Sequence, residues 1–219
     1  MTGAPLSAAL LNASLPQTPD EIYQESFAII ARETGLKKGI LQDDIKMRLI
    51  HACGDVDILK DIRIKGDLRA GISALKGGCD IFTDVEMVKK GIIEKAFFHA
   101  DTRVKCGLKN IKKIPKNALI PTRSAVGMAL NSDKMGGQIV IIGNAPTALE
   151  RLIHGIKHEN WQIPALIIAM PVGFVGAVES KDHLYNWQDA PDYITLLGRK
   201  GGSAIASAAI NAINLWIKS

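Results

Sequence analysis

In the C-terminal half of the chain, short, mainly apolar runs alternate with longer segments whose apolar residues recur every three or four positions. The runs at residues 138–142, 165–170 and 193–197 predict buried strands, and the segments at 145–156, 180–187 and 203–217 predict helices. A strand that is apolar on both faces must be covered on both. The alternation therefore predicts a parallel sheet between helical layers. Upstream the rhythm is weaker. A helix is expected over 67–76, ended by Gly77-Gly78, then a strand at 79–83 and a helix starting at Asp84-Val85-Glu86-Met87. A further strand is expected at 96–100, a Lys-rich loop around an irregular segment at 103–117, and a helix over 123–130. Near the N-terminus, Thr18-Pro19-Asp20-Glu21 reads as a helix start: a capping residue, a proline, then acids in the first turn. That helix should stop near Gly35. A second should cover 41–53 and end at Gly54, with Asp43 and Asp44 at its dipole-favoured end. The expected architecture is α/β: a three-layer α/β/α, doubly wound, mainly parallel sheet of about five strands, without internal repeats. It forms one domain over residues 18–219, preceded by a flexible extension over residues 1–17.

Composition supports this picture. Of 219 residues, 47% are hydrophobic and only 5% aromatic, so the core must be built from Ile, Leu, Val and Ala. The net charge of +5 permits an anionic partner without choosing among nucleic acid, membrane surface and a polyanionic small molecule. Cys53, Cys79 and Cys106 show neither metal-ligand spacing nor a disulfide framework, which points to the reducing cytoplasm and to no metal. Residues 1–17 carry no Lys or Arg and so lack the charged start of a signal peptide. The longest apolar runs are too short to span a bilayer, so no membrane partner is expected.

In open parallel sheets, ligands bind beyond the carboxyl ends of the strands. Those ends should be Thr83-Asp84-Val85-Glu86, Gly143-Asn144-Ala145-Pro146, Pro171-Val172-Gly173-Phe174-Val175-Gly176 and Gly198-Arg199-Lys200-Gly201-Gly202-Ser203. Glycines let a ligand approach the backbone, and free N–H groups at helix starts attract carboxylates or phosphates. Tight turns alone would also explain any one of these segments; four along one edge favour a binding site. None has Walker A or G-x-G-x-x-G spacing, which argues against ATP, nicotinamide or flavin.

His51 lies in the last turn of its predicted helix, where the dipole favours imidazolium, a proton donor near neutral pH. The bland alternative is a C-terminal capping histidine. Arg123 opens a helix at a cost to the dipole, as a residue kept for a ligand would, or it is an ordinary exposed arginine. His154 and His158 share a helix face but read as surface residues. Lys105, Lys109, Lys112, Lys113 and Lys116 have no interleaved aromatics, so a solvated surface is favoured over nucleic acid.

Several segments together resemble the precorrin-8X methylmutase (precorrin isomerase) family. They are Glu25-Ser26-Phe27-Ala28-Ile29-Ile30, Arg48-Leu49-Ile50-His51-Ala52-Cys53-Gly54, Thr83-Asp84-Val85-Glu86-Met87, Thr122-Arg123-Ser124-Ala125, Gly143-Asn144-Ala145-Pro146-Thr147-Ala148-Leu149, the stretch from Met170 to Lys181, and Gly198-Arg199-Lys200-Gly201-Gly202-Ser203. They cover the chain from about residue 20 to 215. The resemblance implies an isomerase of cobalamin biosynthesis. Such an enzyme moves a methyl group from C11 to C12 of precorrin-8X or cobalt-precorrin-8, giving hydrogenobyrinate or a cobyrinate-type product, without a cofactor. It implies that His51 is the acid, protonating a ring nitrogen, with Ser26 and Arg48 beside the substrate. Arg123, Ser124, Asn144, Lys181 and Asp84 are the expected holders of the substrate's polar arms. The corrinoid macrocycle is the expected partner, bound by a homodimer with its site near the subunit interface. Lys200 looks more like the cobalt-containing branch. The competing readings are another enzyme with an anion-binding sheet edge, a non-catalytic corrinoid carrier, and a basic nucleic-acid-binding module.

Overall fold

The computed structural model describes residues 18–219; the extension expected at 1–17 lies outside the described residues. Six four-residue strands form one sheet in the order β1-β6-β5-β4-β2-β3. They are β1 (Ile62–Lys65), β2 (Asp80–Thr83), β3 (Arg103–Cys106), β4 (Ile139–Ile142), β5 (Leu166–Ala169) and β6 (Tyr193–Leu196). β2 through β6 run parallel to their neighbours, and β1 pairs antiparallel with β6, Ile62 opposite Leu196 and Lys65 opposite Tyr193.

Side chains alternate between two cores, as the pleat requires. Ile139, Ile141, Leu166, Ile168 and Ile194 face one core with α1 (Pro19–Thr34), α2 (Leu41–Cys53), α3 (Arg69–Lys76), α4 (Glu86–Gly91) and α8 (Ser203–Lys218). Val140, Ile142, Ile167, Ala169 and Tyr193 face the other, with α5 (Arg123–Ala129), α6 (Pro146–His158) and α7 (Ala177–Tyr185). The three layers are those expected, and β4, β5 and β6 are buried throughout.

The first helix forms as its sequence dictates. The Thr18 hydroxyl accepts from the Glu21 N–H at 3.2 Å, and the Glu21 carboxylate accepts from the Thr18 N–H at 2.9 Å, a reciprocal capping box. α2 ends where Gly54 turns left-handed (φ 66°) and its N–H bonds the Ile50 carbonyl at 2.8 Å.

Two expectations are corrected at the sheet edges. The strand predicted at 96–100 is not one: Glu94–Ala96 is a short 3-10 turn. The edge strand is β3, inside the stretch predicted as a Lys-rich loop. Its basic residues Arg103 and Lys105 point outward from an edge that needs only one buried face. β1 was not predicted, which raises the count from about five to six.

Candidate active site

α1 and α2 pack so that two helix faces meet. Tyr23, Ser26 and Phe27 occupy one face of α1, at i, i+3 and i+4; Arg48 and His51 occupy the facing stripe of α2, at i and i+3. Ser26 Oγ lies 2.8 Å from His51 Nδ1. The His51 ring meets Phe27 at 5.2 Å and Tyr23 at 5.8 Å between centroids. The Arg48 guanidinium stacks over Tyr23 at 5.0 Å and Phe27 at 5.5 Å. The cluster is open to solvent on one side, and His51 is exposed. Spacing placed Arg48 beside His51, the family resemblance added Ser26, and Tyr23 was missed, its only signal being its spacing four residues before Phe27.

His51 departs from the expectation of a dipole-charged imidazolium. Partial burial and then the like charge of Arg48 push its pKa below the usual 6.5. Both disfavour the charged ring. Burial also pushes the Tyr23 phenol up.

The α2 terminus is tied to the carboxyl edge of the sheet. Asp55, just beyond the Gly54 cap, is ion-paired with Lys200 in the turn after β6. The Lys200 carbonyl accepts from Lys181 Nζ at 2.8 Å. Lys181 is 0% exposed, and burial pushes its pKa down to about 8. Lys181, expected to hold a substrate carboxylate, donates here to a backbone carbonyl and props the turn from beneath. Lys200 is likewise engaged with Asp55.

Asp84 is likewise bonded within the protein. It is 2% exposed, and its carboxylate accepts from the N–H groups of Gly143 (3.0 Å), Asn144 (2.9 Å) and Ala145 (2.8 Å). The nest at the start of α6, expected to await a ligand anion, is filled by the protein's own carboxylate. Burial nevertheless pushes the Asp84 pKa up, against the pull of the three donors. Gly143 is obligatory beside it: a Cβ there would meet Val88 at 2.4 Å and the Ser203 backbone at 3.0 Å.

What remains available is Asn144, half-exposed at the tip of that turn, and, at the start of α5, exposed Arg123 and half-exposed Ser124. Thr122, which caps α5, shares a 2.8 Å hydrogen bond with Thr147 at the start of α6, bringing the two helix starts together. Arg123 is exposed, and its Nη2 reaches the carbonyls of Ile111 at 3.3 Å and Leu108 at 3.5 Å. Between the β4 and β6 turns, the loop after β5 projects Phe174 and Val175, 83% and 89% exposed, with Arg199 stacked over Phe174 at 5.2 Å. The β4 and β6 turns are two strand spacings apart, about 10 Å. The edge thus offers a histidine–hydroxyl pair, an apolar shelf and separate polar groups.

Comparison with known proteins decides among the possible owners of such an edge. The family profile described as precorrin-8X methylmutase matches residues 21–215. The chain belongs to the precorrin-8X methylmutase family. It is therefore an isomerase, a methylmutase of cobalamin biosynthesis. A precorrin-8X methylmutase of Pseudomonas aeruginosa is 43% identical over 197 residues, covering 88% of this chain and 93% of the relative. A cobalt-precorrin-8 methylmutase of Priestia megaterium is 35% identical over 204 residues, covering 92% and 89% respectively. The solved structure of a precorrin-8X methyl mutase from Thermus thermophilus superposes with a TM-score of 0.76 at 30% identity, covering 90% of this chain and 97% of that one. The methylmutase matches span the whole described sheet and both N-terminal helices. Among the described residues no helix is long and apolar enough to cross a membrane.

Proposed function

We propose that the chain moves a methyl group from C11 to C12 of precorrin-8X, with His51 as the general acid. The observation that carries this reading is the 2.8 Å pair between Ser26 Oγ and His51 Nδ1, at a helix end tied to the carboxyl edge of the sheet. With its proton on Nε2, the neutral ring accepts from the Ser26 hydroxyl at Nδ1; once the ring is charged, Nδ1–H donates to Ser26 Oγ and Nε2–H is left to donate to a ligand. Protonating a ring nitrogen withdraws electrons from the conjugated system and eases migration to the neighbouring carbon. General-acid help of this kind contributes about 10²–10⁴-fold.

The lowered proton affinity of His51 fits a substrate that brings the missing charge. Precorrin-8X carries several carboxylate arms. Docked beside Arg48, they offset its repulsion and raise the imidazole's affinity for a proton as the ring arrives. Arg48, Arg123, Ser124 and Asn144 hold arms; Asp84 and Lys181 act from beneath, by fixing the turns. The exposed Phe174 and Val175 and the open side of the His51 cluster support a homodimer whose second copy closes the site. Three free cysteines, one of them exposed, support a cytoplasmic setting.

Metal-free precorrin-8X is the proposed substrate. Precorrin-8X methylmutases of Pseudomonas aeruginosa and a Sinorhizobium species are 43% and 39% identical, against 31–37% for cobalt-precorrin-8 methylmutases such as those of Methanocaldococcus jannaschii and Salmonella typhimurium. Lys200, whose identity suggested the cobalt branch, is paired with Asp55.

An absorbance time course with precorrin-8X and, in parallel, its cobalt form tests the reading with no other cofactor added. The expected result is a shift to the methyl-migrated chromophore, faster with the metal-free ring, and its loss in His51→Ala with ring binding kept. Ring binding without any shift would make the protein a carrier. A His51→Ala variant with near-native turnover would remove His51 from the acid role.

A further inference from the structure

Lys200 stands in the turn after β6, and its ammonium reaches across to the carboxylate of Asp55, four residues beyond His51 in the chain. The Lys200 backbone is fixed independently of that contact. Its carbonyl accepts from the buried Lys181 Nζ at 2.8 Å, the Gly202 N–H bonds the Met170 carbonyl at 2.8 Å, and the Gly173 N–H bonds the Arg199 carbonyl at 3.2 Å. A Cβ on Gly201 would collide with the Met170 and Pro171 carbonyl oxygens, so the turn lies tightly on the loop that projects Phe174. Lys200 therefore sits between that apolar shelf and the helix end that presents His51.

The side-chain pair itself is loose. The Lys200 side chain is 57% exposed and that of Asp55 33%. Exposed pairs hold weakly, because water already solvates both charges. A clamp for the end of α2 is not needed there, since Leu49 and Ile50 already anchor the helix in the core at 0% and 1% exposure. Asp55 has other work: its Oδ1 accepts from the Asp57 N–H at 2.9 Å and caps the short 3-10 turn Val56–Asp61. If Lys200 left, the carboxylate would keep that bond and its solvent face. Exchange of the ammonium to another carboxylate strands neither charge in a buried place.

Resting on the reading that the chain binds precorrin-8X, we propose that Lys200 is a further substrate-binding residue, held on Asp55 in the free protein and taken over by a peripheral carboxylate of the arriving ring. An arm near Arg48 brings its neighbours to the same rim, where they compete with Asp55 for one ammonium. Asp55 stands in for the ligand: it keeps Lys200 stretched across the rim, and it weakens ring binding by the strength of the pair it makes.

The test is titration of the protein with precorrin-8X, followed by absorbance at low and moderate salt, with turnover read on the same samples. Asp55→Asn keeps the acceptor for Asp57, and Lys200→Met keeps the carbonyl that Lys181 needs, so both should fold. Kd should fall about 2–5-fold in Asp55→Asn and rise by about as much in Lys200→Met, where it should also depend less on salt. The double variant should match Lys200→Met, because Asp55 acts on the ring only through Lys200. Weaker binding in both single variants would make the pair a clamp and overturn the proposal, and so would native affinity in Lys200→Met. Turnover by the unmodified chain reports on the methyl shift separately: its absence with ring binding intact would refute that reading, while the variant affinities would still decide this one. No ring binding at all would overturn both.

Discussion

Replacing Asp84 with alanine tests whether the turn that presents Asn144 is held from within. The carboxylate accepts three backbone N–H bonds of 2.8–3.0 Å. Hydrogen bonds to a charged group contribute about 1.5–3 kcal/mol each, so three come to roughly 5–9 kcal/mol gross. Against this stands the cost of keeping a carboxylate out of water, on the order of several kcal/mol. The same burial raises the Asp84 pKa. The net loss expected is about 2–4 kcal/mol, within the range for breaking a buried network. Domains are stable by only about 5–15 kcal/mol, so the variant should fold but with a thin margin. For a chain of this size each kcal/mol moves Tm by about 2–4 °C, so Asp84→Ala should melt roughly 5–15 °C lower. Formate should recover part of the difference by entering the vacated nest. Asp84→Asn keeps an acceptor for two of the N–H groups but turns an NH₂ toward the third. It should lose less stability while still displacing Asn144. Scanning calorimetry read beside precorrin-8X turnover, at a temperature where each variant is folded, separates the roles. An Asp84→Ala variant with a native Tm and abolished turnover would refute this reasoning, because the carboxylate would then be acting on the substrate.

Two further outcomes follow from charge and burial. In an NMR titration of the free protein, His51 should titrate below 6.5, and Arg48→Met should move its midpoint upward by removing the like charge. Because folding lowers this pKa, the His51 contribution to stability is present above the unfolded midpoint and is lost as pH falls through the folded one. A native midpoint above 6.5 would overturn the sign. Lys181, pushed down from 10.5 to about 8, should give the native chain a rise in stability between those two pH values. Denaturant unfolding of Lys181→Met across the same interval should lack that rise, and an unchanged slope would show that the ammonium is not sequestered.

The parts of the fold legible in the sequence are those set by local rules. The capping box at Thr18 and Glu21 and the left-handed Gly54 fixed the first two helices almost to the residue. The mainly apolar runs at 138–142 and 165–170 read as central strands. The misses lie at the sheet edges. Ile62-Arg63-Ile64-Lys65 and Arg103-Val104-Lys105-Cys106 alternate over only four residues, too short a sample to tell from loop, and their charges suit an edge that pairs on one side. The aromatic run Phe97-Phe98 looked like a strand, but its backbone is taken elsewhere: the Phe98 N–H bonds the Asn214 side chain on α8. Within the site, the common face of Arg48 and His51 was legible from their spacing on one helix, whereas Ser26, on the other helix, was placed with them only by the family resemblance. The engagement of Asp84 and Lys181 was not. Their partners lie 59–61 and 19 residues away, and only the assembled sheet brings them together.

The reversed direction of β1 carries a consequence for how the chain could reach this chemistry at all. Ile62, the first residue of β1, stands opposite Leu196, the last residue of β6. The polypeptide leaving α2 therefore enters the sheet at the end where every parallel strand exits. Had β1 run with its neighbours, its entry point would lie at the far rim, four residues or about 13 Å away. The N-terminal helix pair would then deliver His51 to the rim opposite the turns that follow the parallel strands. A single strand laid in backwards thus lets a helical arm that precedes the sheet in sequence work at the rim that the later strands build.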